Sequence, residues 1–217
     1  RSATGRPPYT RVCASTTDST AAALATGADE PGDAVTSLGS TLVLKQLCEH
    51  PLFDPDAGVY SHRVLGRWLV GGASNSGGAV LAKHFTAEAL ERLSAGIDPG
   101  ESSGLDYYPL PGPGERFPVS DPAYAPRLDP RPGDDARFLQ GMIEGIARIE
   151  AAGYRRLAEL GAAPVSRIVP VGGGARNPAW TAIRSRLTGV PVETAPHEEA
   201  AWGAALLAMH GLGAAPD

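Results

Sequence analysis

Residues Arg167–Trp180 read R-I-V-P-V-G-G-G-A-R-N-P-A-W. The apolar run Ile168–Val171 predicts a strand, and three consecutive glycines end it. Trp180, Ile183 and Leu187 then recur at i, i+3 and i+7, the spacing of one helix face. A strand that stops in bare backbone at a helix start lets a flat or anionic ligand come close. Glycine removes the Cβ, and the N–H groups of the first helical turn are free to donate. Asn177 has two readings, a cap for that helix or a hydrogen-bond partner for a ligand, and Pro178 suits the first turn. Alone, the stretch would serve as a structural corner. Two more glycine-bearing turns change the balance: S-L-G-S-T at Ser37–Thr41 and G-G-A-S-N-S-G-G at Gly71–Gly78.

Both turns sit where strands end. Ala34 to Leu44 is β-rich and broken at Gly39, and Val59–Val64 with Arg67–Val70 predicts a hairpin around Leu65–Gly66. The second strand of that hairpin runs into Gly71–Gly78, and Ala79–Phe85 begins a helix. Earlier, Arg11–Ser15 reads as a short β-like piece, followed by Asp18 and a helical S-T-A-A-A-L-A-T that closes at Gly27. Nine of the twenty prolines fall between Pro99 and Pro132, which excludes regular helix and predicts a long covering loop pinned by Tyr107 and Tyr108. Asp134 to Gly161 predicts the longest helix, with an apolar stripe at Leu139, Met142, Ile143, Ile146, Ile149, Leu157 and Leu160. A short strand Val190–Thr194 and a last helix from about His197 to Met209 follow. Strands first and strand–helix units later predict an α/β fold, a mixed sheet flanked by helices.

Composition narrows the function. At 217 residues the chain can bury a substantial core. Its net charge of −5 and lack of a basic run argue against a nucleic-acid partner. No apolar segment approaches the ~20 residues of a membrane span, and no signal pattern opens the chain. Cys13 and Cys48 have no metal spacing, which suits reduced thiols in a cytoplasmic protein. His62 and His197 lack paired ligands and read as structural. The nucleotide fingerprints G-x-G-x-x-G and G-K-S/T are absent, as is G-x-S-x-G, so a Rossmann oxidoreductase, a P-loop enzyme and an α/β hydrolase are disfavoured.

The ordered set T-T-D-S-T-A-A, T-S-L-G-S-T, G-G-A-S-N-S-G-G, V-G-G-G-A-R-N-P-A-W and E-A-A-W-G-A-A-L-L-A resembles the C-terminal half of an FGGY carbohydrate kinase, from about Val12 to Ala208. The phrases G-V-Y-S-H-R, W-L-V-G-G-A-S-N and G-E-R-F-P are most similar to the D-ribulokinase, xylulose-kinase-like branch of plants and cyanobacteria. The resemblance implies a ribonuclease H-like, actin-like ATPase domain over residues 11–217, with residues 1–10 a connector from a missing N-terminal domain. It implies ATP and Mg2+ as cofactors and a ketopentose as substrate, D-ribulose preferred and D-xylulose second. It is compatible with a homodimer.

Carried over motif by motif, Asp18 matches the catalytic base that takes the proton of the attacking sugar hydroxyl. Its other reading is a simple helix cap. Ser37, Gly39, Ser40 and Thr41 match the phosphate turn, and Gly72 and Ser76 match positions near the ribose and phosphates. Gly173, Gly174 and Asn177 match the adenosine motif, and Gly203 would let the last helix pack closely on that loop. Arg176 reads as a solvated side chain. The family's D-x-G-T phosphate turn, its usual metal-binding acid and most sugar-binding residues belong to the N-terminal domain, and no D-x-G-T occurs here. The competing reading is a non-catalytic nucleotide-binding or regulatory module of the same fold. The surface facing the companion domain is expected to be unusually apolar.

Overall fold

The computed structural model describes Arg11 and residues 13–213; the connector expected at 1–10 lies outside them. In chain order the elements are α1 (Asp18–Ala25), β1 (Asp33–Leu38), β2 (Leu42–Cys48), β3 (Tyr60–Val64), β4 (Arg67–Ser74), α2 (Gly78–Ala82), α3 (Ala87–Ser94), α4 (Asp135–Glu159), β5 (Arg167–Val171), α5 (Pro178–Thr188) and α6 (Ala200–Gly211). One five-stranded sheet has the order β3-β4-β2-β1-β5. Only β5 pairs in parallel, against β1 with Ser37 opposite Val171; the other neighbours are antiparallel. The expected mixed sheet flanked by helices is the architecture found.

Strand alternation builds two cores. Ala34, Leu38, Leu42, Leu44 and Ile168 face a large cluster supplied by α4 and α5. Val35, Leu47, Leu69, Val169 and Val171 face a smaller one under α1 and α6. The helix pair α1–α6 is in backbone contact, because a Cβ on Gly203 would sit 1.8 Å from the Ala21 carbonyl oxygen. The role expected for Gly203 is thereby corrected: it packs on α1, not on the glycine loop after β5. α6 is apolar on every side although few of its residues are buried, and Trp202 remains 46% exposed on its outer surface.

Several boundaries differ from the sequence reading. Residues 13–17 form no strand, so Asp18 does not stand on a strand tip. Thr17 takes the N-cap position of α1 and Asp18 is its first helical residue, where a carboxylate favours the helix dipole. β4 runs on to Ser74, so Gly71 and Gly72 lie inside a strand. Val190–Thr194 makes only one isolated bridge, Ile168 to Val192, and α3 was not foreseen.

The proline-rich segment is a fixed part of the core. Tyr107 is buried and its hydroxyl donates to the Pro130 carbonyl at 2.5 Å. Its backbone rests on α4 where side chains would obstruct it: a Cβ on Gly145 would lie 2.7 Å from the Tyr107 carbonyl oxygen. Phe117, fully buried, is wedged between strand and helix, since Cβ atoms on Gly72 and Gly153 would approach its ring to 2.4 and 2.5 Å.

Asp33 and Lys45 are among the charged groups enclosed by this packing. Asp33, at the start of β1, accepts from Arg167 Nε at 2.8 Å and Nη2 at 2.7 Å, and that guanidinium holds the carboxyl well below the usual carboxylate range. Lys45, 2% exposed in the middle of β2, has no hydrogen-bond partner for Nζ among the described residues. Its ammonium lies 4.4 Å from the Tyr60 ring centroid. Burial lowers its pKa to about 8. The folded protein thus releases this proton at a lower pH than the unfolded chain, whose lysines titrate near ~10.4. Stability should climb as pH rises from about 8 towards the unfolded value. We expect Lys45→Met to abolish that alkaline climb and to stabilise the protein at pH 7 by ~1–3 kcal/mol, measured by urea denaturation.

Candidate functional site

The C-terminal ends of β1 and β5 each lead into a backbone corner. After β1, Gly39 and Ser40 turn the chain into β2, and their carbonyls accept from Gly78 N at 2.8 Å and Ala79 N at 3.0 Å. The Ser40 and Thr41 N–H groups donate to no acceptor among the described residues. After β5, Gly172 adopts a positive φ of 88° and a Cβ there would lie 3.1 Å from the Leu38 carbonyl oxygen, so the second corner is pressed against the first. Gly78 is equally constrained, with its absent Cβ 2.8 Å from Gly39 O. Three glycine turns therefore meet at one end of the sheet because each lacks a side chain where the next backbone passes.

Their meeting leaves a cleft of about 460 Å3 lined by Leu38, Gly39, Ser40, Gly78, Ala79, Gly173, Gly174, Asn177 and Trp180, with Glu91 and Ser94 from α3. It shares Gly173, Asn177, Glu91 and Ser94 with an adjoining hollow of about 640 Å3, completed by Ile97, Pro99, Arg176 and Pro178. These volumes suit a ligand of nucleotide size. Five of the expected residues thus come together: Gly39, Ser40, Gly173, Gly174 and Asn177. Within the triplet the glycines differ. Gly173 has open space where a Cβ would go, whereas at Gly174 a Cβ would sit 2.8 Å from both Leu38 Cβ and the Trp180 ring.

Of the two roles open to Asn177 from the sequence, the structure shows the helix cap. Asn177 Oδ1 accepts from Trp180 N at 3.1 Å, capping α5, and its Nδ2 donates to Ser94 Oγ at 2.8 Å. Arg176 is exposed and its nearest acid is Glu198, at 3.4 Å.

Other expected residues are not in the cleft. Gly72 lies in mid-strand with Phe117 filling its Cβ position, so it is a packing glycine and not a neighbour of the ribose. Ser76 is fully buried and its hydroxyl donates to the Pro109 carbonyl at 2.5 Å, so it cannot reach a ligand in the cleft. Both support the turn from behind. Thr41 is half-buried and follows Ser40 without lining the cleft. Asp18 is exposed, makes no side-chain hydrogen bond among the described residues and is not in the cleft lining. The C-terminal end of α1, at Ala23 and Leu24, and Gly27 beyond it border Leu47 and Leu69, beside the start of β1. α1, which Asp18 opens, packs on the sheet face opposite α4.

The support behind the Gly71–Gly78 turn was missed from the sequence. Glu115, 3% exposed, accepts from Ser74 Oγ at 2.6 Å, Asn75 N at 2.7 Å and Tyr108 Oη at 3.0 Å. This carboxylate has hydrogen-bond donors in place of a cation, and burial beside it drives the Tyr108 phenol above its usual range. The contribution of α3 to the cleft wall was also missed. Its signal was present in T-A-E-A-L-E-R-L, where Thr86 caps a helix by accepting from Ala89 N at 3.2 Å.

Among the described residues no group of three His, Cys, Asp or Glu side chains could cage a metal ion, and no helix is long and apolar enough to cross a membrane. Cys13 and Cys48 are both free thiols.

Comparison with known proteins agrees with this geometry. The C-terminal domain of the FGGY family of carbohydrate kinases matches residues 34–212. The autoinducer-2 kinase of Yersinia pestis (strain Pestoides F) is 34% identical over 87 residues, which is 40% of this chain and 16% of that protein. Ligand-bound xylulose kinase from Lactobacillus acidophilus superposes with a TM-score of 0.76 at 20% identity, covering 91% of this chain and 42% of that one. Xylulose kinase from Bifidobacterium adolescentis gives 0.72 at 25% identity, covering 90% and 40%. The chain spans well under half the length of each of these proteins. Mixed sheet, helical layers and glycine corners are those of the actin-like ATPase domain, and the chain belongs to the FGGY family of carbohydrate kinases, whose C-terminal domain it carries.

Proposed function

We propose that this chain is the ATP-binding half of a ketopentose kinase, with D-ribulose the preferred substrate and D-xylulose the second. The observation that carries the reading is the convergence of the β1, β4 and β5 corners on one cleft. Unpaired N–H groups at Ser40 and Thr41 suit the β- and γ-phosphates. Gly173 and Gly174 lie against the base, beside Trp180, and Asn177 donates to its edge. The ribulose preference rests on the phrases around Gly58–Arg63, Trp68–Asn75 and Gly114–Pro118, which in this structure form the β3–β4 edge and the Glu115 support. The sugar pocket belongs to a companion N-terminal domain, and the exposed apolar side of α6, next to α1, is a surface such a domain would cover.

In this mechanism Asp18 removes the proton of the attacking sugar hydroxyl as its oxygen bonds to the γ-phosphorus, and ADP departs in line. The exposed carboxylate is free of intramolecular partners among the described residues, and domain closure would bring the sugar to it and exclude water. The described residues form no cation cage, so Mg2+ would be held by the phosphate chain together with groups of the companion domain.

Asp18→Asn in the protein that includes the companion domain should lower ribulose-dependent ADP production by ~100-fold or more while ATP affinity is retained. Unchanged turnover would remove Asp18 as the base and favour the non-catalytic module. The isolated 217-residue chain should bind ATP weakly and give no ribulose-dependent turnover. The two glycines after β5 should separate by experiment. Gly173→Val, with open space at its Cβ, should weaken ATP binding with little change in melting temperature. Gly174→Val should also cost ~1–3 kcal/mol of stability, because Trp180 must move.

A further inference from the structure

The hollow beside the cleft has two walls that are distant in sequence, the end of α3 and the loop that opens α5. One hydrogen bond joins them, from Asn177 Nδ2 to Ser94 Oγ at 2.8 Å. Its surroundings make it directional. The Trp180 N–H, in the first turn of α5, has no helical acceptor and takes Asn177 Oδ1 at 3.1 Å, which fixes which end of the amide faces α3. Ser94 is buried, at 8% exposure, so water competes poorly for its hydroxyl. The amide is therefore held at both ends: its oxygen is spent on the helix, and one of its two N–H bonds is spent on Ser94.

We propose that Ser94 is a positioning residue for nucleotide binding: by accepting one N–H of Asn177 it locks the amide so that the other N–H serves the ligand. The site then presents a donor and no acceptor from Asn177, and the complementary group is a lone pair on a purine ring nitrogen. Ser94 acts through Asn177 and through the spacing of the two walls, without contacting the phosphates. This inference rests on the nucleotide-binding reading above and deepens it.

Calorimetric titration of the 217-residue chain with ADP tests it, using Ser94→Ala, Ser94→Thr, Asn177→Ala and the Ser94→Ala/Asn177→Ala double variant. Ser94→Ala should weaken ADP binding about five- to tenfold, the value of one hydrogen bond, with a melting temperature within ~4 °C of the unsubstituted chain. Ser94→Thr keeps the hydroxyl and should restore affinity. In the double variant, loss of Ser94 should add nothing to the loss of Asn177, because the two act as one unit. Wild-type affinity in Ser94→Ala, or additive losses in the double variant, would overturn the positioning role and leave the nucleotide site standing. An unsubstituted chain that binds no ADP would overturn the site itself and the inference with it. If Asn177→Ala fails to fold for want of its helix cap, the alanine and threonine variants at Ser94 decide alone, and equal affinities overturn the proposal.

Discussion

Arg184 and Glu150 are both fully buried, and their two charges hold β1, α4 and α5 in register. Arg184 Nε and Nη2 donate to the Glu150 carboxylate at 2.7 and 2.6 Å. Thr36 Oγ1 donates to the same carboxylate at 2.5 Å, and the Tyr154 hydroxyl lies 2.7 Å from Thr36 Oγ1. Burial, then the neighbouring Glu150, pushes the Tyr154 phenol above its ordinary range, so it remains a neutral donor. One carboxylate thereby ties β1, two residues before the Leu38–Gly39 corner, to α4 and to α5, the helix that opens at Asn177. Such a pair adds little net stability against an apolar substitute, yet removing one partner costs ~3–5 kcal/mol because the other charge stays buried. Its contribution is to position, since the two corners flanking the cleft cannot drift apart while it holds.

From that tie the rest follows by steric contact. Gly172 and Gly78 bring their loops against the carbonyls of Leu38 and Gly39, and any side chain at either position would separate the corners. Behind them, Ser74, Ser76 and Glu115 absorb the polar groups that a glycine-rich turn leaves exposed to the interior. The cleft is thus a rigid surface of backbone, with few side chains that need to adjust when a ligand arrives. Variation in what lies near it falls to α3 and the loop after β5.

The sequence disclosed the strands and corners because their signals are local. Alternation in Ala34–Leu44 and the glycine runs at 39, 77–78 and 172–174 can be recognised from neighbouring residues alone. The long amphipathic α4 was equally plain, and its six innermost apolar positions are buried as the periodicity demanded. Gly72 and Ser76 misled because a glycine or serine beside a phosphate turn carries the same letters whether it faces ligand or core. What separates the two cases is Phe117 for Gly72 and the Pro109 carbonyl for Ser76, each more than thirty residues away. Glu150 and Arg184 were hidden for a similar reason, since each looks like a surface charge on its helix until the partner is known. Asp18 was read as the tip of a strand because R-V-C-A-S is β-like in composition, but residues 13–17 have no strand to pair with.

The wedge of Phe117 between Gly72 and Gly153 has a bearing on how the protein opens and closes. A segment with nine prolines invites comparison with a flap that swings aside to admit substrate. This one threads an aromatic ring through the middle of the molecule, so lifting it would empty the core between β4 and α4. Local opening of that cover and global unfolding become nearly the same event, and its amides should exchange with solvent together with those of the strand beneath. Traffic to the cleft must then pass through its open outer edge.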